Sequence, residues 1–272
     1  MALRLPDHSP NDLALQAHLQ AINQSNEAQV KLRAFLSTCK QTDKLGKLPQ
    51  HVSLLQLKPK IARSLKEWPE APTSSALVLF KEASRPISAA SKCLTYLSQS
   101  SHLVLAYISP KRKPEKCAPL QPLVSLLRCF ISQLLDAMDN EGVHYESTKL
   151  ADITTDEGTL RSGCEIIAEM LRLRRKGCIL IIDDFLGMYP TRINKSIKES
   201  WKAFFAVLGF STEIQTPKTP GKILKLFIRT SGGRNDLQNL GLNAAYVNDT
   251  GEEQRCHFIS SSTKRKFGDM AL

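Results

Sequence analysis

Beyond residue 75 the chain alternates between two rhythms. Short unbroken apolar runs, ALVLF (76–80), HLVLAYI (102–108), CILIIDD (178–184), ILKLFI (223–228) and CHFI (256–259), are separated by longer stretches. In those stretches apolar residues recur every three or four positions: Ser88–Ser98, then PLVSLLRCFISQLLDAMD with apolar residues at 123, 127, 130, 131, 134 and 138, then Thr155–Arg175 and Ile193–Leu208. The first rhythm marks strands and the second marks one face of a helix. Strands separated by helices form βαβ units, and a strand covered on both faces reads as a continuous apolar run because neither face needs polar residues. The pattern predicts an α/β three-layer sandwich around a five-stranded, mainly parallel sheet.

The first seventy residues follow only the helical rhythm. Ser9-Pro10 supplies a cap and a first-turn proline, and Leu15, Leu19 and Ile22 continue a helical pattern within a stretch running to about Lys40. A second helix is expected over His51–Trp68, and WPEAPTSS (68–75) then marks a boundary rich in proline and serine. The reading is a helical region over 1–70, an α/β domain over 71–260 and a basic tail over 261–272, with TEIQTPKTPGK (212–222) as a surface loop.

Composition narrows the function classes. Of 272 residues 42% are hydrophobic, enough for a sizeable core, and 37 Lys and Arg against 26 Asp and Glu leave +11 at neutral pH, which favours acidic partners. Seven scattered cysteines never form C-x-x-C, which points away from a disulfide framework or zinc knuckle and towards a reducing compartment, cytoplasmic or nuclear. The start, MALRLPDHSPNDL, lacks the apolar core of a signal peptide, and no apolar run approaches the roughly 18 residues of a membrane helix, so no membrane insertion is expected. The six histidines are isolated from one another, and neither G-x-S-x-G nor H-E-x-x-H occurs.

In an open parallel sheet ligands bind beyond the carboxyl ends of the strands, so the residues after each run carry the chemistry. After the first run stands Pro86-Ile87-Ser88-Ala89-Ala90-Ser91-Lys92-Cys93. A phosphate-binding loop G-x-x-x-x-G-K-[ST] needs glycines to turn backbone N–H groups towards phosphate, lysine to neutralise the outer phosphates, and a hydroxyl for magnesium. Here Lys92 keeps its place, Pro86 and Ser91 replace the glycines, and the soft thiol of Cys93 replaces the hydroxyl. The third run ends in Asp183 and Asp184, where a P-loop enzyme holds magnesium and orients the attacking water. Arg229 and Thr230 close the fourth run, the place of a polar sensor for the terminal phosphate.

Taken in order, these segments resemble a known family. WPEAPTSSALVLFK followed by SKCLTYL, then HLVLAYISP, PLVSLLRCFISQLL, GCILIIDDF and KILKLFIRTSGGRNDL, is similar to the NTPase core of the NACHT-like (nephrocystin-type) STAND proteins of fungi, over about Trp68 to Ile259. The resemblance implies a P-loop fold that binds ATP or GTP with Mg2+, with Ser91, Lys92, Cys93 and Arg229 on the nucleotide, Asp183 on the metal and Asp184 as the catalytic candidate. The chain departs from the family in its missing Walker A glycines and in Leu186-Gly187, which stand where the family has an acidic pair. The expectation is a stand-alone degenerate domain, a pseudo-NTPase that binds nucleotide weakly, or has no cofactor, and works through a protein partner.

Two other readings stay open at this point. An active ATPase would use Lys92 and Asp183. Alternatively, basic clusters at Lys111-Arg112-Lys113 with Lys116, at Arg172, Arg174, Arg175 and Lys176, along Lys195, Lys198 and Lys202, and at Lys264-Arg265-Lys266 would let a nuclear protein bind nucleic acid through phosphate electrostatics. The nucleotide readings need Lys92 and Asp183 to face each other across one crevice at the tops of neighbouring parallel strands.

Overall fold

The apolar runs become strands buried on both faces. The computed structural model describes residues 27, 29–39, 52–53, 57, 59–80, 88–99, 101–109, 120–174, 177–185, 195–211, 223–230 and 237–248. Within them β1 (Ser75–Phe80), β2 (Leu103–Ile108), β3 (Cys178–Asp183), β4 (Leu224–Thr230) and β5 (Ala244–Asn248) form one sheet in the order β2-β3-β4-β1-β5. Every pairing is parallel. All six residues of β3 are buried, which explains its uninterrupted apolar run. The helices are α1 (29–38), α2 (Pro59–Glu70), α3 (Ser88–Ser98), α4 (Gln121–Asn140), α5 (Asp156–Leu173) and α6 (Lys195–Val207), with a 3-10 helix over Thr148–Thr154.

Successive side chains of a strand point to opposite faces, so each strand feeds two cores. On one face Val78, Tyr107, Leu180, Ile182 and Ile228 pack with Phe130 and Leu134 of α4, Ile167 of α5 and Trp201 of α6. On the other, Leu77, Leu79, Ile181 and Phe227 pack with Ile61, Leu65 and Trp68 of α2 and with Cys93 and Leu97 of α3. This is a three-layer α/β architecture, consistent with the P-loop-like core that the resemblance implies. Helix α1 joins the first core through Leu36, and Arg33 forms an ion pair with Asp139 of α4. Helix α5 is started by Thr155, whose hydroxyl accepts the Gly158 N–H at 3.1 Å, with Asp156 and Glu157 complementing the helix dipole in its first turn.

Three points differ from the expectations. The fifth strand of the described sheet is AAYVN (244–248), which no apolar run marks, and the CHFI run lies outside the described residues. Its two alanines have weak strand propensity, and among the described strands it pairs with β1 at the sheet edge, so no long apolar run announces it. The second helix begins at Pro59 and not at His51: proline is pre-organised for a first helical turn, while its ring disfavours helical backbone at the residue before it. Finally, β1 and β3 are not neighbours, because β4 lies between them.

That strand order creates the crevice. From β1 the chain crosses to the far edge at β2, steps back through β3 to β4, and then passes β1 to reach β5. Right-handed crossovers running in opposite directions place their helices on opposite faces. Accordingly α3 lies on one face, and α4, α5 and α6 on the other. The reversal falls between β1 and β4, and their carboxyl ends form the switch point at which such sheets bind ligands.

Candidate functional site

Helix α3 follows β1 and is anchored by Cys93 and Leu97, one turn apart and both fully buried against Leu79, Ile181 and Phe227. That anchoring leaves Lys92 half-buried in the first half of the helix. Ser91 lies in the same helical turn, and residues 81–87, which hold the start of the degenerate loop, lie outside the described residues.

The other predicted residues meet at the ends of β3 and β4. The register pairs Ile181 with Phe227 and Ile182 with Ile228, so Asp183 falls level with Arg229. The Arg229 Nε–H donates to Asp183 Oδ1, and Nη2–H donates to Oδ2 at 2.8 Å. Both residues are more than nine-tenths buried. A bidentate guanidinium–carboxylate contact is the strongest form of such a pair, and burial protects it from competing water. The main-chain carbonyl of Asp183 also accepts the Ser109 N–H at 3.2 Å, tying this end of β3 to the residue after β2.

Asp184 turns the chain away from the sheet at φ 57°, in the left-handed region that aspartate tolerates better than most residues. Burial pulls the Arg229 guanidinium towards losing its proton, but the hydrogen bonds and charge of Asp183, reinforced by Asp184 and Cys93, hold its pKa above the usual arginine value. Arg229 is therefore the electrostatic centre on which three of the predicted residues converge.

The sequence reading places Asp183 on a metal and Arg229 on a nucleotide, and in the fold the two side chains are paired with each other. Nor does the donor set suit magnesium, which wants hard oxygen ligands in near-octahedral geometry. Both Asp183 oxygens are engaged by Arg229, and the side chain where the hydroxyl would stand is the buried thiol of Cys93. Among the described residues no cluster of three or more His, Cys, Asp and Glu could hold a metal ion. The signal for the pairing lay in the two apolar runs: counted from Cys178 and Leu224, which are paired, Asp183 and Arg229 are both the sixth residue. Ser109 was missed because it follows β2 without any motif.

The basic clusters fare differently. Arg174 is buried and bonded to Glu141 through Nη2 at 2.5 Å and Nε at 3.3 Å, so it is not part of a basic surface. On α6, Ile197, Trp201 and Phe204 face the core while Lys195, Lys198 and Lys202 are not buried, as in any amphipathic helix. Lys111, Arg112, Lys113, Lys116, Arg175, Lys176, Lys264, Arg265 and Lys266 lie outside the described residues. Among the described residues, no helix is long and apolar enough to cross a membrane.

No protein-family model matches this chain, and no curated protein matches it.

Proposed function

We propose that this chain is a degenerate P-loop domain of the NACHT-like STAND type, a pseudo-NTPase that binds nucleotide weakly and acts as a regulatory or scaffolding protein through protein contacts. The observation that carries the reading is the convergence of Cys93 from α3 and of Asp183 and Asp184 from the end of β3 on Arg229 of β4 at the carboxyl end of a parallel sheet, with Lys92 next to Cys93 on α3. An anionic ligand suits the N–H donors of Arg229 that Asp183 does not engage, at the carboxyl end of the sheet where Lys92 stands beside Cys93 in the first half of α3. Turnover is disfavoured by the same geometry. Phosphoryl transfer relies on a metal held by carboxylate and hydroxyl, and here the carboxylate is neutralised by arginine and the hydroxyl is a thiol.

The test is a thermal-shift titration with ATP, GTP and their diphosphates at millimolar concentration, paired with a phosphate-release assay. A ligand that binds only the folded state raises its stability by RT ln(1 + [L]/Kd), about 1.4 kcal/mol at tenfold excess over Kd. We expect a saturable upward shift, weakened by Lys92→Ala, without phosphate release. A flat response to all four nucleotides would overturn nucleotide binding, and hydrolysis abolished by both Lys92→Ala and Asp183→Ala would overturn the pseudo-NTPase assignment.

A further inference from the structure

We infer that the Arg229 guanidinium takes the place of a divalent cation in this crevice, so that a phosphate-bearing ligand is held there without magnesium. The inference rests on the nucleotide-binding reading above and deepens it. In a metal-dependent site the carboxylate at the end of the third strand neutralises part of the cation's charge, and the cation bridges to phosphate. Here Arg229 makes that neutralising contact through two N–H groups on the two oxygens of Asp183. A guanidinium carries five N–H donors in one plane, so a carboxylate engages only two of them. It is matched to phosphate as well as to carboxylate, and one arginine can therefore bridge Asp183 to a bound anion as a metal would.

Three observations make the substitution difficult to reverse. Asp183 and Arg229 are level across adjacent strands, so their backbones, and not a flexible loop, set the contact. Both side chains are only about 10% exposed, so removing Asp183 from Arg229 to admit a metal would leave a buried guanidinium without its carboxylate. A penalty of that kind weakens metal binding by about a hundredfold or more. Cys93, fully buried and close enough to contribute to the electrostatics of Arg229, offers a soft sulfur where magnesium would need a hard oxygen.

Calorimetric titration of the full chain with ATP, once in magnesium and once in EDTA, tests the inference without any mutation. The expected dissociation constants agree within about threefold, and affinity weaker by tenfold or more in EDTA would overturn the substitution while leaving nucleotide binding intact. A manganese titration followed by electron paramagnetic resonance supplies a readout independent of nucleotide. Wild-type protein should show no manganese site that Asp183→Asn abolishes, and finding one would overturn the inference. If ATP binds under neither condition the nucleotide-binding reading falls, and wild-type manganese binding still decides whether arginine has displaced the metal.

Discussion

Strand β4 carries two buried cations on one face, Lys225 near its amino end and Arg229 near its carboxyl end, with Phe227 between them. The backbone treats them alike, yet their surroundings differ in kind. Arg229 lies against a carboxylate and keeps its charge, its pKa raised above the ordinary value. Among the described residues Lys225 has neutral acceptors: its Nζ donates to the Thr73 carbonyl at 2.6 Å and to Ser75 Oγ at 3.2 Å, and stands 5.7 Å from the Trp68 ring centroid. Burial, only partly offset by Glu70, lowers its pKa to about 8. The partner, more than the depth of burial, decides what a buried cation is for. Lys225 fastens the segment before β1 to β4 whether charged or neutral, whereas Arg229 fills a site built around permanent charge.

The contrast can be broken by mutation. The largest effect is expected from separating the pair at the carboxyl end: Asp183→Ala and Arg229→Met should each cost about 3–5 kcal/mol in urea denaturation, because each leaves the other charge buried and unpaired. Lys225→Met should cost less than about 1 kcal/mol at neutral pH, since an apolar side chain of similar size removes a cation that burial disfavours. Equal losses at the two positions would erase the distinction. The double change Asp183→Ala with Arg229→Met should recover most of the single-variant loss, costing about 1 kcal/mol, so that a double-mutant cycle would measure a coupling of about 5 kcal/mol or more.

The next effect depends on pH. The unfolded chain binds a proton at Lys225 with the ordinary lysine pKa of 10.5, and the folded chain with a pKa of about 8, so between these values the unfolded state holds more protons. Stability from this group therefore rises with pH across that window, by about 3 kcal/mol at most, and is lost as pH falls through 8. Subtracting the profile of Lys225→Met from that of wild type should isolate the rise, and superimposable profiles would contradict it. The smallest effect is expected from Ser75→Ala, which removes one acceptor from the Lys225 amine. A loss of about 1 kcal/mol at neutral pH should accompany a further fall in the lysine pKa, extending the rise to lower pH.

Much of the fold was legible because burial on both faces writes itself into composition. Four of the five strands lie on the predicted apolar runs, and α3 spans the predicted Ser88–Ser98. Strand β5 was not legible, since two alanines at an edge leave little apolar signal, and Pro59 moved the start of α2 by a local steric rule that the periodicity obscured. At the candidate site Lys92, Cys93, Asp183, Asp184 and Arg229 could each be singled out by following the strand ends. Their roles towards one another could not, because the reading assumed β1 beside β3, whereas β4 separates them and brings Arg229 into the gap.

Sequence alone determined the kind of each long element and the end of the sheet at which the chemistry gathers, because hydrophobic periodicity and strand-end polarity are local properties of the chain. Tertiary structure alone decided that Asp183 belongs to Arg229. The two residues are 46 positions apart, and only the order of strands and their register makes them opposite neighbours. Strand order arises from which faces the crossing helices must bury, a balance struck over the whole molecule and not within any one segment.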